Sequence, residues 1–314
     1  MARARPLSEG RVRAAIRWSR ETRHPHTGAK ELTEQSFRAL ARSSPWRWRS
    51  VHLVREVGGP AGEGGVEAVI RRPHLMRVVA DGEVHVVRDG PTRVAPYTRD
   101  GRSGPVDLPT AADVRPVLDA DGLVRVRPDS AVVGLDDPMW QSYDWVAMLD
   151  PVELADGSPW RDPATGADVE TPPLAPEPYP ELDWPTRVPV PGTLVSDLRA
   201  GDRHGRATWW ARIVPTQAYE PRCSCCPLLP SEVADRLEHD EEGSPFVPGR
   251  AYPSAHDVAL DAATGICVEI HAVGGPRPGI VHDVRIHAVD EAYGDELFIE
   301  RSRWLPRAPR FRGR

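Results

Sequence analysis

From residue 46 to about residue 96, apolar and polar positions alternate with period two, and glycine-rich or Asp-Gly punctuation recurs at short intervals. Alternation of this kind marks strands with one buried face. The first predicted strand covers 46–57 and closes on a Gly-rich turn at 58–65. A second, 66–72, places Val66, Ala68 and Ile70 on one face, and a third follows Pro73 at 75–80. Asp81-Gly82 is a tight hairpin signal leading into a fourth strand at 83–88. No helical spacing intervenes, so the expected arrangement is an antiparallel meander and not a doubly wound parallel sheet. The pattern returns late in the chain. A hairpin is expected from 193–199 and 206–214, with Ala207, Trp209, Ala211 and Ile213 sharing a face, and three consecutive strands at 256–260, 266–273 and 280–289.

Helical spacing is confined to short stretches. Val12, Ala15, Ile16 and Trp18 recur behind Ser8, and Leu32, Phe37, Leu40 and Ala41 recur up to Ser44-Pro45, so residues 1–45 read as a helical segment with a turn at His24-Pro-His26. Residues 97–137 are rich in Asp, Pro and Gly and read as loop with one short strand at 123–126. Residues 138–149 carry a helical stripe of Met139, Tyr143 and Val146 that should pack on the sheet. Residues 231–237 form a helical turn capped by Ser231, followed by an acidic loop at 238–243. The stretch 156–192 is so dense in proline that it can neither pair in a sheet nor form a helix, and reads as an insertion in polyproline conformation. Together these elements predict an α+β protein. Its centre is a strongly curved antiparallel sheet, an open half-barrel of roughly eight to ten strands, covered by a few helices. The 46–314 portion forms one domain.

At 314 residues and 40% hydrophobic content the chain can bury a substantial core. No run approaches the ~20 apolar residues of a membrane span, and the first ten residues lack the apolar stretch of a secretion signal, so a cytoplasmic location is expected. A net charge of −6 removes the overall attraction to phosphate backbones that nucleic-acid binders show. Lys30 is the only lysine, which with the abundant Ala, Gly and Pro suggests a GC-rich bacterial source.

Several short motifs carry a family likeness. They are Arg72-Pro73 with Arg77 on an early strand, the turn Leu260-Asp-Ala-Ala-Thr-Gly265 ahead of a strand pair, and Leu297-Phe298 at the end of the sheet. In these the chain resembles the lipoprotein-carrier and sigma-factor-regulator group, the LolA/RseB-like fold. The resemblance implies an unclosed half-barrel with an apolar concave face that binds acyl chains or exposed peptide. The chain differs from that group in lacking an export signal and in carrying the proline-rich insertion and a cysteine loop. The function expected on this basis is non-enzymatic: binding of an apolar small molecule, lipid, peptide or protein partner in the concave face, in a regulatory role. Trp209 and Trp210, adjacent on one strand and therefore on opposite faces, are the candidate ligand contacts.

A second reading comes from Cys223-Ser-Cys225-Cys226, three of the four cysteines within four residues, set among prolines. In a reducing compartment such a cluster reads as thiol or metal thiolate, not as a disulfide framework. Cys223 and Cys226 have the spacing of half a zinc knuckle. A complete zinc site needs further ligands, for which Cys225, Cys267 and His256 are the candidates, so a metal- or redox-responsive protein is the alternative function. A redox motif of the thioredoxin kind is disfavoured because prolines, and not a helix start, follow the thiols. On the final hairpin, Ile266, Val268, Ile270 and Ala272 are expected to face one way with Ile280, Val284 and Ile286, leaving Cys267, Glu269, His271, Asp283, Arg285 and His287 on the other side. That second set would suit acid–base chemistry but reads first as the wet face of a one-sided sheet with cross-strand charge pairs. Phosphate loops, nucleophile elbows and zinc-helix motifs are all missing from the sequence.

Overall fold

The computed structural model describes residues 32–56, 65–94, 105–128, 133–172 and 188–300. The first predicted helix, the His24/His26 turn, nearly all of the Gly-rich turn at 58–65 and the centre of the proline-rich insertion lie outside the described residues.

Nine strands pair in one antiparallel sheet. They are β1 (Ser50–Glu56), β2 (Gly65–Arg71), β3 (Leu75–Ala80), β4 (Glu83–Arg88), β5 (Thr193–Arg203), β6 (Arg206–Pro215), β7 (Ala255–Asp261), β8 (Cys267–Val273) and β9 (Gly279–Val289). Their order across the sheet is β5-β6-β7-β8-β9-β1-β2-β3-β4, so the two predicted meanders are fused where β9 pairs with β1, Val51 opposite Val289. β4 and β5 are the two edges and do not meet, which leaves the sheet open. Four ladders carry an irregularity, at His52/Leu53, Ser196/Arg199, Ala259/Leu260 and Ile270/His271. Such bulges bend a strand and increase its twist.

One face of the sheet is sealed. Leu53, Ala68, Met76, Ala211, Val258 and Ile270 lie within a single core cluster, each at most 1% exposed. Into the same core α1 (Glu34–Arg47) inserts Phe37, Leu40 and Ala41, all fully buried. The helix starts at a capping box between Thr33 and Ser36. It runs through Pro45 to Arg47, so β1 begins four residues later than the alternation from Trp46 suggests. Arg38 ties α1 to the carbonyl oxygens of Ala155 and Thr193, and Arg42 to Asp156. This helix falls in the same compact unit as the sheet, which starts at Leu32. The Asp261–Gly265 turn packs against it. Gly265 has φ +77°, and a Cβ there would stand 2.7 Å from the carbonyl oxygen of Leu40, so only glycine fits.

Two helices differ from expectation. The predicted helix at 138–149 contracts to α2 (Asp144–Leu149): Gln141 takes φ +64°, Met139 is exposed, and the buried residues are Trp145 to Leu149. Conversely, α3 (Glu232–Glu242) absorbs most of the predicted acidic loop. Ser231 caps its start, and Gly243 in the left-handed conformation ends it.

Candidate functional site

The cysteine loop leaves the end of β6 and returns to α3, and a buried carboxylate brackets it. Glu153, on a short 3₁₀ turn at Val152–Leu154 below α2, is 1% exposed. Its Oε1 accepts the Tyr219 hydroxyl at 2.5 Å and the Leu228 N–H at 2.8 Å, while Oε2 accepts the Arg222 N–H at 2.7 Å. The donors bracket Cys223–Cys226 on both sides. The Tyr219 hydroxyl in turn accepts the Leu229 N–H at 3.2 Å. Burial pushes the Glu153 carboxyl above its ordinary pKa, and the three donors pull it partly back. Each charge-assisted bond contributes about 1.5–3 kcal/mol, enough to fix a loop that has neither helix nor strand of its own.

Beside it lies a second buried anion. Asp150 is fully buried and receives Arg127 in a two-pronged pair, 2.7 Å on each oxygen, and Arg222 at 2.8 Å. Burial alone would raise the Asp150 carboxyl, but the two guanidinium groups hold it below its ordinary value. Arg222 also reaches Asp136. The residue immediately before Cys223 is thus locked by its backbone to Glu153 and by its side chain to two aspartates.

On this platform the three thiols converge. Cys223 Sγ lies 2.9 Å from Cys225 Sγ, which lies 3.7 Å from Cys226 Sγ, and all three sulfurs fall within 4.8 Å of one another. Cys225 is exposed and the other two are half-buried. Burial raises the Cys223 thiol, but hydrogen bonds from the thiols and backbone N–H groups of Cys225 and Cys226 outweigh it, so its pKa is lowered overall. Cys225 shifts upward chiefly through its hydrogen bond with the Cys223 thiol, and Cys226 chiefly through burial. The other two cysteines thus favour the ionised form of Cys223, the form in which a thiol binds a cation. Cys225 and Cys226 form one end of a cleft of about 740 Å³ bounded further by Asp235 and Glu238 of α3 and by Arg250, Tyr252 and Arg277.

The two other candidate ligands stand apart. Among the described residues the only group of three or more metal-ligating side chains within 4.8 Å is Cys223, Cys225 and Cys226; neither Cys267 nor His256 joins it. Cys267 is fully buried opposite Leu260, because the bulge at Ala259/Leu260 turns it from the predicted polar face into the core. Its thiol is raised well above the ordinary value by burial. His256 is also fully buried, opposite Ile213 on one side and Ala272 on the other, with both ring nitrogens unpartnered.

The chain matches no protein-family model and no curated protein.

Trp209 and Trp210, adjacent on β6, both pack against the core cluster. Trp210 lies under the Arg199 guanidinium, 4.8 Å from its ring centroid, and donates to the Thr208 hydroxyl at 2.9 Å. Neither ring lines the cysteine cleft. On the polar face the acids are taken up by arginine: Arg206 grips Asp261, Arg212 grips Asp257, and Asp283 receives Arg203 and His204. Arg203 Nε stands 2.6 Å from Glu269 Oε2, out of line for a hydrogen bond. The His287 ring lies 5.1 Å from that of His52, tilted by 35°, and His271, Asp283 and His287 do not gather within 4.8 Å of one another. Ile280, expected on the apolar side, is 47% exposed, whereas His282 pairs with Ile270 and is buried. The bulge at Ile270/His271 is the cause. Glu153, Asp150 and Arg222 were not singled out by sequence; the one available signal was a pair of acids inside the otherwise apolar run from Trp145 to Leu154.

Proposed function

We propose that the protein binds a soft, thiophilic metal ion through Cys223, Cys225 and Cys226. The observation that carries this reading is the convergence of three thiols on a loop that a buried carboxylate clamps from both sides. Thiolate donors select Cu(I) and Zn(II) among available ions. Three sulfurs complete a trigonal Cu(I) site, while zinc takes the same three and keeps a fourth position, which here would face the cleft. The apolar-ligand reading has less behind it, because the helix-covered face of the sheet is filled by the side chains of α1, α2 and the strands themselves.

Elemental analysis of full-length protein purified without chelator tests this. About one equivalent of zinc or copper is expected, together with loss of that metal in Cys223→Ser and in Cys226→Ser at unchanged circular dichroism. A chain that emerges metal-free, with three titratable thiols, and takes up neither Zn(II) nor Cu(I) from a micromolar-affinity competitor would overturn the proposal.

A further inference from the structure

A second cavity, of about 400 Å³, lies where the end of α1, the β2–β3 turn and the segments 110–116 and 134–137 meet. Its volume falls in the range of small-molecule sites. The walls are largely apolar and flat, with Pro45, Trp46, Pro73, Val114 and Leu135 among them. The Trp46 ring is fixed by its N–H donating to the Val114 carbonyl oxygen at 3.0 Å.

The charges of this cavity do not balance locally. Two carboxylates line it, and both are committed. Asp137, 4% exposed, holds Arg72 in a two-pronged pair at 2.7 and 2.6 Å. Arg72 is itself fully engaged, lying 3.3 Å over the Trp48 ring and donating to the carbonyl oxygens of Ser44 and Trp48. Asp136 accepts the Tyr143 hydroxyl and Arg222. Two further arginines, Arg49 and Arg115, both exposed, line the cavity, and neither side chain forms an ion pair among the described residues, although the Arg49 backbone N–H donates to Asp290. In a chain of net charge −6, two uncommitted cations beside an aromatic wall are a local feature and not a reflection of the whole.

We infer that this cavity is a binding site for a small planar organic anion, an aromatic ring bearing a carboxylate or phosphate. The ring would lie against Trp46 and the prolines, and the anionic group would meet Arg49 and Arg115. Arginine suits the task because its planar fork pairs with carboxylate and phosphate through two parallel hydrogen bonds. The groups that would hold the anion, Trp46, Arg49 and Arg115, lie outside the thiol loop, so the inference does not depend on the metal proposal.

Calorimetric titration of the full-length protein with four probes tests it: 2-naphthoate, 1-naphthyl phosphate, neutral 2-naphthalenemethanol and acetate. One or both aromatic anions are expected to bind at least tenfold more tightly than the neutral alcohol and than acetate. The Arg49→Gln/Arg115→Gln double variant should remove that tenfold advantage, and Trp46→Leu should weaken the aromatic anions without creating affinity for acetate. Either ranking of the two anions supports the site and names its head group. Equal affinity for the anions and the neutral alcohol, no binding of either anion at millimolar concentration, or unchanged anion binding in a folded double variant would overturn the inference.

Discussion

Mild acid should destabilise this protein through two imidazoles sealed in its core. His256 and His282 are 0% and 4% exposed, and burial is the largest cause lowering each pKa from 6.5 to about 4. Asp257 opposes the shift at His256; at His282 the Arg55 cation adds to it, while the hydrogen bond with the Cys267 carbonyl oxygen and the charges of Asp144 and Asp283 oppose it. A depressed imidazole is neutral in the native state when the unfolded chain already binds a proton. Stability is therefore full above pH 6.5 and falls as the pH drops toward 4. At about 1.36 kcal/mol per unit, each imidazole costs roughly 2 kcal/mol at pH 5, and the pair roughly 4 kcal/mol, against a typical total of about 5–15 kcal/mol. Glu153 and Glu269, raised by burial, act in the opposite direction, so the difference between wild-type and variant slopes is what isolates the histidines. Urea denaturation followed by circular dichroism at pH 7.5 and pH 5.0 measures it. His256→Leu replaces an unpartnered buried polar group with an apolar one, so at pH 7.5 it should be at least as stable as wild type. Between the two pH values it should lose about 2 kcal/mol less than wild type does. Identical pH dependence in wild type and variant would refute the reasoning.

Removing the clamp has separable consequences. Glu153→Ala strands the Tyr219 hydroxyl and the N–H groups of Arg222 and Leu228, so a loss of about 3 kcal/mol or more is expected by chemical denaturation, with Glu153→Gln milder. In Asp150→Ala two guanidinium groups lose their shared partner, and about 3–5 kcal/mol should go with it; little change in midpoint would mean that the pair is solvated. Gly265→Ala must combine a left-handed backbone with contact on the Leu40 carbonyl, and a thermal melt should show a loss of at least about 1–2 kcal/mol.

The sheet was legible because its strands announce themselves: alternation and Asp-Gly turns located the strands of both meanders within a few residues. What alternation cannot register is an extra residue in one strand. The bulges at Ala259/Leu260 and Ile270/His271 reverse the facing of Cys267 and Ile280, and so removed Cys267 from the polar face on which it was expected. The three clustered cysteines were visible as a motif, yet their platform was not. Glu153 lies seventy residues before Cys223, and nothing in local spacing links a lone carboxylate to the backbone donors it will collect. Polar periodicity also cannot distinguish a solvated acid from one gripped by an arginine of another strand, as Asp261 is by Arg206.

The seam between β9 and β1 has a consequence for how the chain is made. β1 is among the first strands to leave the ribosome, and its partner on one side, β9, is among the last, with Val51 waiting for Val289. Until then the edge of β1 carries unpaired backbone groups beside apolar side chains, a template for pairing with the wrong strand. Closing so long a loop adds only modestly to the entropy already spent, but contacts this distant in sequence slow folding. The four-strand N-terminal meander is therefore synthesised well before the β9 strand that completes its pairing, and so is α1, whose Phe37 and Leu40 enter a core shared with the later strands.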